Sequence, residues 1–425
     1  MNLYKGHSIA NLLCLLVILF FSIAPFVGFF TLTFIGREFH LFISLLGYGV
    51  VFFKILDGLS IKLSNYTVVL LLFVIYTIIS DVTKVGEGFG FYDLLGNKYI
   101  TSLLIFIVLD NVEFDKPFYE LIIKISTGVL IIAFIVISMQ QFVHKDIFIN
   151  PKYRHINTSF EELRLGSIYT WLGPSAILGL SFFPIMAVIV EEKIAKGKDY
   201  FVIFLLGALV SFFNKSRFIM LNYLFTWILI PIYKGFNLSV IVKYSLIVIM
   251  AGVSLYYGAK TVEYDIDKII NERILEKNRG GLTQGSAGTR LVAFEVFGKL
   301  FPKNPIFGKG KLHSFGKEGS KDIELVRTIH GRSSQIHVGY LSLLYYYGLL
   351  GGGIYMLFVV LLTRRLIMDA KKTRMWGPLI GWLLFLLSNT TTVMLDFVLM
   401  GIVIPLFFNK WYVLNASDCK KNVMA

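Results

Sequence analysis

Apolar positions in this chain come in long runs, not in alternation. Runs near 9–34, 39–57, 66–82, 98–110, 118–143, 172–190, 199–213, 216–233, 240–258, 337–362, 376–390 and 393–409 predict helices. A bilayer core of about 30 Å takes about 20 apolar residues per helix. In lipid each backbone N–H and C=O must find its partner within the protein, which selects helices here, and the lack of period-two alternation speaks against a barrel. The expected fold is an all-α polytopic membrane protein with 12 transmembrane helices. One stretch interrupts the pattern. Residues 259–336 form a polar segment of 78 residues with 14 Lys/Arg and 9 Asp/Glu, holding His313 and His330. A loop of that length between spans is usually functional or disordered. The chain therefore divides into 1–258 with nine spans, the loop 259–336, and 337–425 with three spans and a tail.

Composition sharpens this picture. Of 425 residues 56% are hydrophobic and 16% are charged, against roughly 25% charged in a typical soluble domain. The net charge of +14 therefore points to membrane topology and away from nucleic acid, because Lys and Arg accumulate in cytoplasmic loops. With the N-terminus inside and 12 spans, the inside segments hold 17 Lys/Arg and the short outside segments nine. Both termini are then cytoplasmic and the 259–336 loop is external, as is a shorter loop at about 144–171. The basic start and long apolar run at the N-terminus read as a retained first span, not a cleaved signal. Cys14 and Cys419 lie near opposite ends of the chain and imply no disulfide framework.

Three clusters carry candidate chemistry. Asn214-Lys215-Ser216-Arg217 sits at the outer end of the eighth span. Lys215 serves equally well as an interfacial anchor, whereas Arg217 lies two residues deeper and is suited to bidentate phosphate binding. Next, Leu291, Phe294, Phe297 and Phe301 recur at helical spacing after Gly288-Thr289-Arg290. Thr289 is the expected cap of that helix. Arg290 then falls in its first turn, against the helix dipole, where an anion would be welcome. Pro302 and Asn304-Pro305 end the helix, and Gly308 and Gly310 make a turn. The plainer reading is a short amphipathic helix lying on the membrane with Arg290 solvated. Third, the stretch from Thr328 through His330, Arg332 and His337 runs into the tenth span. A His there can act as a base, although a lone interfacial His is more often structural. No metal-ligand spacing such as HExxH accompanies these histidines. Asp265-Ile266-Asp267 looks like a metal-binding aspartate pair of nucleotide-sugar enzymes, but it lies on the expected outer face, where nucleotide sugars are not expected.

Taken together, Lys215-Ser216-Arg217, the Gly288-Thr289-Arg290 helix, Asn304-Pro305-Ile306-Phe307-Gly308-Lys309-Gly310, and His337 followed by Tyr340-Leu341 and Tyr347-Gly348-Leu349-Leu350-Gly351 resemble the O-antigen polymerase and O-antigen ligase superfamily of bacterial membrane glycosyltransferases. The resemblance runs from about Asn214 to Leu362; the earlier spans match only in hydropathy. The family's His is typically followed by Asn, where this chain has Val338, and His330 is the alternative to His337. The resemblance implies a GT-C-like fold in the bacterial inner membrane with an outward-facing active site. It implies an undecaprenyl-pyrophosphate-linked oligosaccharide as donor, and neither cofactor nor metal. In that scheme His337, Arg290 and Arg217 are catalytic, and Lys215, His313, Arg327, His330 and Arg332 bind substrate. Membrane lipids are partners, with a chain-length regulator and a flippase implied through the family alone. Polymerase is the first reading. Ligase, with lipid A-core as acceptor, is its nearest rival, and a polysaccharide transporter or flippase is the alternative from another class. Few ionisable residues mid-span and no inverted repeat weigh against transport.

Overall fold

The computed structural model describes residues 37–56, 58, 62–85, 98–111, 286–310, 336, 338–373 and 376–390, with scattered positions between 121 and 261. Among the described residues, six continuous α-helices are defined: α1 (Arg37–Leu56), α2 (Asn65–Val85), α3 (Lys98–Asn111), α4 (Ser286–Leu300), α5 (Gly339–Thr373) and α6 (Gly377–Ser388). A 3₁₀ turn, Phe301–Lys303, follows α4. Among the described residues there is no strand. The described positions between 121 and 139, at 205, 206 and 209, and between 239 and 261 are also helical. The expected spans near 9–34, 172–190, 216–233 and 393–409 lie outside the described residues.

Two helical stretches, Asn65–Thr83 and Gly339–Lys372, are long and apolar enough to cross a membrane. On α2 the apolar residues divide into two stripes. Leu70, Phe73 and Val74 are buried, while Val68, Leu72, Ile75, Ile79 and Val82 are exposed. In α5, Tyr355, Phe358, Leu362 and Leu366 are buried and Met356, Leu357, Val360 and Met368 exposed. Both stripes follow the helical repeat of 3.6 residues.

α2 and α5 pack antiparallel and form the centre of the described fold. α3 joins them beside α2, α1 packs on α3, and α6 packs on α5. Aromatic rings make a continuous seam through these contacts. Phe73 meets Tyr347 and Tyr355 at 6.0 and 5.4 Å, and Phe358 meets both Phe106 and Trp382 at 6.1 Å. Trp382 stacks on Phe385 and donates its indole N–H to Thr363 Oγ1 at 2.7 Å.

Two elements differ from the sequence expectation. The tenth span was expected over 337–362. Its helix continues to Thr373 through the basic run, and it is broken at Gly348 (φ 65°, ψ −169°). The extension follows from a buried stripe, Leu362, Leu366 and Ala370, that continues past the last uninterrupted apolar residue. Arg365, within the basic run, points inward. It pairs with Asp110 of α3 at 3.2 Å and with Asp369 at 3.3 Å. Its guanidinium also donates to the Tyr66 hydroxyl, which itself donates to Asp110 Oδ2 at 2.7 Å. These contacts bring the start of α2, the end of α3 and the end of α5 to one pole of the bundle.

The second difference is α4. It starts at Ser286, so Thr289 is its fourth residue and not a cap, and Arg290 lies beyond the first turn. Of the expected apolar face, Phe297 and Phe301 are half-buried and Phe294 is open; the deepest residues are others. Ala293, Val296 and Leu300 are fully buried, whereas Phe294 is 57% exposed. Small side chains at 293 and 296 allow the helix to approach its neighbours more closely than a Phe face would.

Candidate functional site

The pole opposite Arg365 brings together two of the stretches singled out in the sequence, the Asn304–Gly310 turn and Tyr347–Gly351. Here the polar loop meets α5. The segment Asn304–Gly310 leaves the 3₁₀ turn and is fastened into the break at Gly348 by its backbone. Lys309 N–H donates to Tyr345 O at 3.0 Å and Gly310 N–H to Tyr346 O at 2.7 Å. In return, Leu349 N–H donates to Pro305 O at 2.8 Å and Leu350 N–H to Ile306 O at 3.0 Å. A broken helix leaves N–H and C=O groups without intrahelical partners, and these cost several kcal/mol each in an apolar setting. The turn supplies partners on both sides of the break.

Two glycines make this contact possible. Gly308 and Gly348 both have positive φ, 64° and 65°, where side chains are strained. They also face one another. A Cβ on Gly308 would overlap the Gly348 nitrogen and the Tyr346 carbonyl, and one on Gly348 would overlap the Ile306 carbonyl. Tyr76 of α2 locks the arrangement from the third side. Its hydroxyl hydrogen is shared between Phe307 O and Tyr347 O, each at 3.1 Å.

A buried carboxylate stands beside the break. Asp81 is 5% exposed and accepts from the Tyr347 hydroxyl at 3.4 Å. A buried acid in an apolar helix end is expensive and usually functional or structural glue. The start of α5 is pinned as well. Gly339 N–H donates to Asn389 O at 3.0 Å and the Tyr340 hydroxyl to Leu386 O at 2.8 Å. Asn389 is fully buried; its side-chain N–H bonds Phe385 O at 2.8 Å, while its Oδ1 has no partner among the described residues. Ile336 and Val338 are both buried.

Of the residues expected to act, Arg290 is placed within α4, the helix that packs on α5. Lys215, Arg217, His313, Arg327, His330, Arg332 and His337 lie outside the described residues. Sequence reasoning singled out the Asn304–Gly310 phrase as a turn, and it is one. It missed Tyr76, Asp81 and Asn389. Asp81 had a signal: it is an acid close to the end of an apolar run. Tyr76 had none, because one tyrosine in the run Val74-Ile75-Tyr76-Thr77-Ile78 is indistinguishable from a core residue. Among the described residues no group of three His, Cys, Asp or Glu is placed to hold a metal ion.

Compared with protein-family models and with curated proteins, the chain matches none.

Proposed function

We propose that this protein is a membrane glycosyltransferase, a surface-polysaccharide (O-antigen) polymerase. It joins undecaprenyl-pyrophosphate-linked repeat units by inverting transfer at the outer face of the bacterial inner membrane. The observation that carries the reading is the fastening of the Asn304–Gly310 turn into the break of α5. That turn and that break are two of the phrases on which the family resemblance rests, and here they are each other's partners. Their union ties the helix bearing Arg290 to the stretch that begins just after His337. The exposed apolar stripes of α2 and α5 favour a lipid surround, since soluble chains rarely expose apolar patches of that extent.

The chemistry follows from the groups assigned. An acceptor sugar hydroxyl attacks the anomeric carbon of the donor from the face opposite the pyrophosphate. The new C–O bond forms as the bond to the pyrophosphate breaks, and His337 takes the hydroxyl proton. Charge develops on the departing undecaprenyl pyrophosphate, where Arg217 and Arg290 stabilise it. Lys215, His313, Arg327, His330 and Arg332 hold the anionic donor. The net positive loop steers that donor into place.

The test is the lipopolysaccharide banding of a strain lacking the gene. A single band of core plus one repeat unit supports the polymerase. Unsubstituted core with accumulated lipid-linked polymer replaces it with the ligase. An unchanged ladder sinks both for this polymer.

A further inference from the structure

We infer that the docked turn and the outer face of α4 insert into the lipid of the leaflet on their side of the membrane. The occupant of this apolar surface is thus the acyl-chain boundary of the bilayer, beneath anionic headgroups. The inference rests on the membrane reading of the chain and not on the transfer chemistry.

Position along the bundle is the first argument. On α5 no large apolar residue between Gly339 and Gly348 is exposed; exposure begins at Leu349 (57%) and Leu350 (44%) and ends at Met368. Twenty residues at 1.5 Å each cover about 30 Å, the thickness of a hydrocarbon core. Leu349 and Leu350 are the residues whose N–H groups bond Pro305 and Ile306. The turn therefore meets α5 where its lipid-facing band starts. On α2 the turn is bonded by Tyr76; exposed Ile75 lies beside that level, and exposed Ile79 and Val82 continue beyond it. A loop perched in water would not meet the edge of the apolar band on one helix and lie within that band on the other.

The turn's own surface matches. Ile306 is 57% and Phe307 58% exposed, and Phe294 of α4 is equally open. Phe297 and Phe301 stack at 4.6 Å along the same helical face as Phe294. α4 is apolar on two faces: Ala293, Val296 and Leu300 bury one against the protein, while on the other Phe294 is exposed and Phe297 and Phe301 are half-buried, an apolar strip open to another apolar medium. Lys299, Lys303 and Lys309 are interspersed among these residues. Lys299 pairs with Glu295 at 2.6 Å, and the long apolar stems of these lysines let their charged ends sit at the headgroup level while the rings stay in the acyl region.

The experiment uses the whole chain in nanodiscs of phosphatidylethanolamine and phosphatidylglycerol. Cys14→Ser and Cys419→Ser remove the native thiols. Single cysteines then carry an environment-sensitive fluorophore at Phe307, Ile306 or Phe294, with Leu357 in the mid-band of α5 and Lys299 as references. Quenching by doxyl-labelled lipid and by aqueous iodide is read for each. The expected result is lipid quenching at Phe307, Ile306 and Phe294 within about twofold of Leu357, with little iodide quenching, and the reverse at Lys299. Iodide quenching at both Phe307 and Ile306 while Leu357 stays lipid-exposed overturns the insertion but leaves the membrane reading intact. Iodide quenching at Leu357 overturns both. Having two reporters on the turn guards against one substitution that disturbs it.

Discussion

Gly308 and Gly348 show how much one pair of missing side chains can decide. Each sits at a φ that costs an ordinary residue about 1–2 kcal/mol, and each occupies space that the other's backbone needs. Gly348→Ala is expected to unseat the turn and to lower the thermal unfolding temperature of the purified protein. Gly308→Ala should do the same, and the double variant should be little worse than either single one, because both break one contact. Tyr76→Phe is the gentler probe. It removes a hydroxyl that serves two carbonyls, and a loss of about 1–2 kcal/mol is expected. A Tyr76→Phe protein that unfolds at the wild-type temperature would show that the hydroxyl contributes nothing to docking.

Helices were legible in the chain wherever apolar runs were long. The spans expected near 39–57, 66–82, 98–110 and 376–390 correspond to α1, α2, α3 and α6 within a few residues. The turn after α4 was legible too, from its Pro and Gly. What escaped were features made by partners distant in sequence. The break in α5 hides in Tyr347-Gly348-Leu349-Leu350-Gly351, which looks like a continuous span until the segment that fills it is known. Arg365 reads as one of several basic anchors, yet its partner Asp110 is 255 positions away. The candidate site was legible only as phrases; their mutual contact was not. At this scale the ion pair invites a test. Both groups are well covered, 14% and 9% exposed. Arg365→Met takes the guanidinium away from Asp110, and removing one partner of a buried pair costs about 3 kcal/mol or more. Arg365→Met combined with Asp110→Leu should recover most of that loss in thermal unfolding. If the double variant were as unstable as the single one, the network would be doing more than balancing charge.

For the molecule as a whole, the two poles carry different duties. One is tied by charge at Arg365, the other by backbone at Gly348. The proposed transfer belongs to the second pole. His337→Ala, Arg290→Ala and Arg217→Ala should each lower polymer formation by about 100-fold or more, with protein levels in the membrane unchanged. Gel banding of complemented deletion strains, with immunoblots for expression, checks this. Full activity in well-expressed His337→Ala and Arg290→Ala would remove those residues from the mechanism. Arg365→Lys, at the far pole, should leave banding intact. Thiol labelling from outside intact cells checks the side of the membrane: a cysteine introduced at Ser320 should react, and one at Lys371 should not.

The contact between the turn and the break has a consequence for insertions. It is written almost wholly in main-chain atoms, so it asks little of side chains beyond two glycines and a tyrosine. The residues from 311 to 335 run between two anchored points, Gly310 and Ile336. Doubling the length of such a tethered segment costs only about 0.6 kcal/mol in closure entropy. Insertions between Gly310 and Ile336 are therefore expected to leave the frame that holds both ends intact.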